Sequence, residues 1–201
     1  MNKFKYLLSN SRKFHHLEVA RVLHKHEKLV KLVCGSPWFK LKGNNVPKHL
    51  IHSNSIINAL RHFIPRHNKL KLIHDYLSRL NVKNIDNKAS RFINNADVFL
   101  SLSKTGVETG KLIKKQNKIY ICERSSSHIV FQNEILEEEH KNLKLDYLPI
   151  NKWFIERELE EYESSDFILV PSKFVEKTFI DKKIFKTKTV VFGSNTDNFF
   201  P

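Results

Sequence analysis

The 201-residue chain, 40% hydrophobic and 28% charged, holds enough apolar material for one compact core and no low-complexity stretch of the kind that favours disorder. Thirty-five Lys and Arg against 21 Asp and Glu give a net charge of +14, which points to anionic partners, although a Lys-, Asn-, Ile- and Phe-rich composition is also what compositional drift produces. No apolar run approaches the roughly 20 residues of a membrane-spanning helix, and the apolar patch within Met1–Leu8 is too short for a signal peptide, so a cytoplasmic protein is expected.

In chain order, short β-rich runs alternate with helical spacings. Lys5–Leu8 is the first predicted strand. After the polar turn Ser9–Arg12, the stripe of Leu17, Val19, Ala20, Val22 and Leu23 predicts a helix over Phe14–His26, and Leu29–Cys34 a second strand. Gly35–Trp38 ends that strand, with Lys40–Pro47 read as an exposed loop. His49–Ser53 reads as a short strand, residues 56–64 as a helix closed by Pro65, and Leu70–Leu80 and Asp86–Asn95 as two further helices.

Asp97–Ser103 is the clearest central strand, because Val98-Phe99-Leu100 is apolar on both faces. A helix to Gln116, a strand at Ile119–Cys122 and a helix capped from Ser125–Ser127 follow. The remainder reads as a helix over Trp153–Tyr162, a strand at Phe167–Val170, a helix capped by Ser172, and a last strand at Lys188–Phe192. This β-α alternation predicts an α/β fold, a Rossmann-like parallel sheet with helices on both faces.

Cys34 and Cys122 have no zinc spacing and read as buried thiols. The eleven histidines, among them His15-His16, His24 with His26, and His49 with His52, match no metal-binding pattern and read as surface or packed residues, so no metal and no cofactor are expected. The basic residues crowd into 1–120, where they offer an electrostatic attraction to anionic lipid head groups of about 1 kcal/mol each. Peripheral contact with the inner membrane face follows as an expectation. No RNP-type aromatic motif, zinc-finger spacing or helix-turn-helix supports nucleic acid as a partner.

Open parallel sheets bind ligands beyond the carboxyl ends of their strands. That rule selects four turns: Ser9–Arg12, with Ser9, Asn10, Ser11 and Arg12; Ser101–Gly106, with Ser103, Lys104, Thr105 and Gly106; Glu123–His128, with Glu123, Arg124, Ser125, Ser126 and His128; and Pro171–Lys173, with Ser172. The third unites a carboxylate, a guanidinium, hydroxyls and an imidazole before a helix start, whose free N–H groups favour anionic or polyhydroxyl ligands. The same residues also suit a helix-capping cluster with an Arg–Glu ion pair. The Ser103–Gly106 turn lacks the spacing of a phosphate-binding loop.

Asp166–Val175 (DFILVPSKFV) resembles the "advillvpSefv" strand and helix start of the N-terminal domain of family 4 glycosyltransferases, and Phe192–Pro201 (FGSNTDNFFP) resembles that family's "yGvDtdrFrP" interdomain link. The opening strand, polar loop and first helix are similar to the family's start. Ser194-Asn195 stands where the family commonly has Val-Asp.

The resemblance implies the N-terminal, acceptor-side half of a GT-B fold, with residues 1–192 as the Rossmann-like domain, 193–201 as the start of a linker, and a C-terminal donor-binding domain beyond. It implies a retaining glycosyltransferase that moves a sugar from a nucleotide-sugar donor, bound mainly by the other domain, to a hydroxyl of a glycan or lipid-linked acceptor, without a required metal. His128 occupies the place where many members carry a histidine near the reacting sugar, so the resemblance implies a catalytic role for it, with the four turns as acceptor surface. On this reading the 201 residues alone are inactive. The alternatives are a basic nucleic-acid-binding module and a sugar- or nucleotide-binding α/β domain without catalysis.

Overall fold

The computed structural model describes residues 4–41, 45–54, 56–64 and 69–193. The strands are β1 (Tyr6–Asn10), β2 (Leu29–Cys34), β3 (Ile51–Ser53), β4 (Val98–Leu102), β5 (Ile119–Glu123), β6 (Phe167–Val170) and β7 (Thr187–Thr189). They form one sheet in the order β3-β2-β1-β4-β5-β6-β7, and every pairing is parallel. The expected Rossmann-like α/β architecture is thus what the chain adopts.

The intervening helices are α1 (His16–Lys25), α2 (Trp38–Leu41), α3 (Ile56–His62), α4 (Lys71–Ala89), α5 (Val107–Lys115), α6 (Ile129–Asn142), α7 (Lys152–Ser164) and α8 (Lys173–Ile180). Alternation along the central strands splits the core in two. Leu7, Phe99, Tyr120 and Ile168 meet Ile85, Ile113, Tyr162 and Phe179 on one face, while Leu8, Leu32 and Leu100 meet Leu17 and Ala20 of α1 on the other. Because successive strands are added to one side of β1 and then to the other, the connections diverge between β1 and β4, and ligands of doubly wound sheets sit at such a switch point.

Helix α7 departs from ordinary amphipathicity, since its buried face carries Arg157, Glu158 and Glu161 together with Tyr162. Burying charge is costly unless each group is paired. Here the cost is offset because these side chains hold the turn after β4, as described below.

Several expected elements shift. Leu70–Leu80 and Asp86–Asn95 are not separate helices: α4 runs unbroken from Lys71 to Ala89, and residues 90–95 tighten into a 3-10 turn. The intervening Asn81-Val82-Lys83-Asn84-Ile85 contains no breaker, and Val82 and Ile85 continue the buried stripe. Lys40–Pro47 is not simply exposed, because Leu41 and Val46 are buried in the α1-side core. The last strand is Thr187–Thr189 rather than Lys188–Phe192, β7 being an edge strand that pairs only over Ile168–Val170. Pro65 and the link over 194–201 lie outside the described residues. Both cysteines are buried free thiols, and burial pushes the Cys122 thiol well up.

Candidate active site

The turn after β4 is built from backbone strain and buried charge. Lys104 sits in the left-handed region (φ 84°), which a non-glycine residue holds only when its surroundings compel it. The compulsion comes from α7. Glu161 accepts the Lys104 N–H and, at 2.6 Å, the Gly106 N–H, while Arg157 Nε donates to the Lys104 carbonyl at 2.7 Å. Burial outweighs these donors and pushes the Glu161 carboxyl up to about 8. Gly106 admits no side chain, because a Cβ there would lie 2.4 Å from Ser101 Oγ and 2.7 Å from Tyr120 Oη.

Neighbouring pairs complete the frame. Glu158, fully buried, lies 2.8 Å from Arg124 Nη1 and 3.1 Å from Lys104 Nζ and accepts the Tyr162 hydroxyl at 2.7 Å. Burial opposes its ionisation, but the cations Arg124 and Lys104 hold its carboxyl below the usual range. Asp86 pairs with Arg157 and accepts the N–H groups of Glu108 and Thr109 at 2.9 Å each, capping α5 from another helix. Ser9 Oγ donates to the Thr105 carbonyl at 3.0 Å, tying the β1 end to the same turn.

The turn after β5 sends its two charged side chains to different partners. Glu123 lies between the two histidines at the start of α1: His16 Nε2 is 2.8 Å from Oε2 in an aligned hydrogen bond, and His15 Nε2 is 2.6 Å from Oε1 in a more oblique contact. Burial raises the carboxyl, but the hydrogen bonds and charges of His15 and His16 prevail and hold it at about 2. Arg124 instead reaches Glu158, the Ser127 carbonyl and Gln132. The expected Arg–Glu ion pair within this turn therefore does not form; each charge finds a partner from another element.

The sequence-predicted residues fall into three groups. Ser11, Arg12 and Lys104 line a cleft of about 340 Å³ at the switch point. Ser9, Asn10, Ser103, Thr105, Gly106 and Arg124 are buried in the frame beneath it. Glu123 joins the histidines, Ser172 caps α8 by accepting the Val175 N–H, Ser125 and Ser126 stay half-buried in their turn, and the Ser125 hydroxyl finds no partner among the described residues. His128 caps α6 through Nδ1, donates its own N–H to Thr178 Oγ1 at 3.0 Å, and packs its ring against Tyr162 and Phe179. Burial first, then the Lys182 and Arg124 charges, holds its imidazole down at about 4.

Sequence patterns missed His15 and His16 as chemistry, because 107 residues separate His16 from Glu123. Their place directly after the first strand's turn was the available signal. His15 remains part-exposed, packs on Phe14 and Phe192, and has no hydrogen-bond partner for Nδ1 among the described residues. Together His15, His16 and Glu123 offer the donor types of a metal site, all within 4.8 Å. Donors sharing a tetrahedral zinc stand about 3.3 Å apart, given bonds of ~2.0–2.1 Å. The 2.6 and 2.8 Å separations here are hydrogen-bond spacings, which an ion would have to part.

No family model and no curated protein matches the sequence. Solved structures do match. TcCGT1 in complex with UDP aligns over 96% of this chain and 51% of its own length, with a TM-score of 0.56 at 9% identity. A UDP-glucosyltransferase from Polygonum tinctorium aligns over 94% and 52% (TM-score 0.51, 9% identity), as does Phytolacca americana UGT2 with UDP-2fluoro-glucose and pterostilbene (TM-score 0.50, 10% identity). The chain has the Rossmann-like fold of GT-B glycosyltransferases. It spans about half the length of the structures it matches.

Proposed function

We propose that this chain is the acceptor-side half of a glycosyltransferase that moves a sugar from a nucleotide-sugar to an acceptor hydroxyl, with His15 as general base and Glu123 as its orienting partner. The observation that carries the reading is the His15–Glu123 pair at the carboxyl edge of a GT-B-type sheet. With the Nε2 hydrogen turned to Glu123, Nδ1 is left to take the acceptor proton. The oxygen then attacks the anomeric carbon, the bond to the nucleoside diphosphate breaks, and the Glu123 anion stabilises the imidazolium. Phe192, whose ring lies 4.3 Å from that of His15, must move aside to admit the substrate.

A base placed this way supports single displacement with inversion. Retention, which the family 4 resemblance implies, is the second reading, favoured by the Asp166–Val175 segment. Contact with the transferred sugar, the role the resemblance implies for His128, is better supported for His15, because both the ring and the Nδ1 of His128 are engaged in holding α6 and the core. Donor binding requires a second domain, in this polypeptide or another. Peripheral membrane contact belongs to the same proposal, its motive being the basic residues crowded into 1–120.

The test is transfer assayed with the donor-binding half present, following product configuration by NMR. His15→Ala turnover within threefold of wild type would remove His15 from the chemistry. A retained anomer would favour the second reading.

A further inference from the structure

The cleft at the switch point carries more positive charge than its own partners neutralise. Arg12 and Arg61 both line it, and among the described residues neither is ion-paired to a carboxylate; Arg61 bonds only the neutral Asn58 amide, at 2.9 Å. Burial, and then the charge of Arg12, pulls the Arg61 guanidinium below its ordinary range, as expected for like charges facing one space without a counter-ion. Lys104 also reaches the wall, but its ammonium is already paired with Glu158 at 3.1 Å, so the unpaired charge is that of the two arginines. Asp75, the carboxylate lining the cleft, is turned to Asn151 Nδ2 at 2.9 Å and lies 3.8 Å from His74 Nδ1. Asn81, only 2% exposed, has an Oδ1 with no partner among the described residues, an acceptor suited to a ligand hydroxyl.

We infer that the cleft binds a phosphorylated sugar or polyol, its phosphate held by Arg12 and Arg61 and a hydroxyl by Asn81. Guanidinium forks match phosphate oxygens two at a time, which a lone ammonium does not. A volume of about 340 Å³ is near the low end of the roughly 300–1,000 Å³ of small-molecule pockets and suits one monosaccharide phosphate rather than a long glycan. That this ligand accepts a sugar rests on the proposed transferase reading; its binding does not.

The experiment titrates the 201-residue protein by calorimetry with glucose 6-phosphate, with glucose, and with phosphatidylglycerol vesicles set against phosphatidylcholine vesicles. Wild type, Arg12→Gln, Arg61→Gln and Arg61→Lys are compared, and thermal melts verify folding. Glucose 6-phosphate binding that weakens about tenfold in each Gln variant, with Lys only partly restoring it, supports a soluble phosphate ligand. Vesicle binding with the same arginine dependence, without soluble binding, supports a phospholipid headgroup.

Binding indifferent to all three variants, or equal affinity for glucose and its phosphate, overturns the inference. So does binding only to long DNA with a steep salt dependence. If the phosphate binds but the assembled protein transfers no sugar, the transferase reading fails while the site stands. Transfer to neutral acceptors with KM unmoved by either arginine variant gives the converse.

Discussion

Glu161 on α7 accepts the N–H of Gly106 at 2.6 Å across 55 residues of chain, and through it a helix on one face of the sheet fixes the turn that begins the next crossover. Because its folded value is raised to about 8, the folded protein keeps a proton that an unfolded carboxyl releases near 4.5. The stability from this group is complete below about 4.5 and is lost as pH rises toward 8. Glu161→Gln should flatten that decline in a pH series of melting temperatures. It should also destabilise by about 1–3 kcal/mol, because its amide NH₂ would face a backbone donor.

His15 and His16 should separate cleanly. His15→Ala is expected to lower kcat of the assembled transferase by about 10²–10⁴ with little change in melting temperature. His16 is fully buried, so His16→Ala should cost about 2–3 kcal/mol of stability by denaturant titration and leave Glu123 partly unpaired. Equal thermal losses in both variants would argue against the division of roles.

His128 should behave as a helix cap and core residue. His128→Ala is expected to cost about 2–4 kcal/mol, and His128→Asn, which keeps a capping acceptor, less. The native imidazole titrates at about 4, so above about 6.5 its stabilising contribution is complete. As pH falls from 6.5 toward 4, the unfolded state takes up a proton that the folded state refuses, and stability declines. Loss of this slope in His128→Asn is the check. Turnover falling far more than stability would return the sugar-contact role to His128.

Gly106→Ala and Gly110→Ala should each destabilise by about 3 kcal/mol or more, measured by urea unfolding. At Gly110 the added Cβ would stand 2.3 Å from Tyr120 Cε1, and Tyr120 is fully buried and stacked on Phe99 at 5.4 Å. Tyr120→Phe/Gly106→Ala, which removes the hydroxyl but not Ser101, should recover part of the Gly106 loss.

Apolar runs such as Val98–Leu100, with turn residues between them, made the strands and their parallel order legible, since burial on both faces leaves a strong local signature. The turns after the strands were equally readable, and three of their residues, Ser11, Arg12 and Lys104, stand in the wall of a cavity of about 340 Å³. What local reading could not supply was pairing. His16 meets Glu123 at 107 residues' distance and Arg157 meets Asp86 at 71, and nothing in either segment names its partner. Arg61 was hidden for a related reason, as α3 reads from sequence only as a helix with apolar spacing. The single long α4 was obscured by polar positions, Asn81 and Asp86, that face a cleft and a helix terminus rather than apolar core.

The clamp that α7 places on the Lys104–Gly106 turn draws its rigidity from below, while Arg12 and Arg61 stand above it on a loop and a short helix. Tolerance to sequence change is therefore divided between two tiers. On the proposed phosphate-binding reading, substitutions in the upper tier retune ligand preference without loosening the scaffold, whereas a change to Arg157, Glu158 or Glu161 reaches the turn they hold.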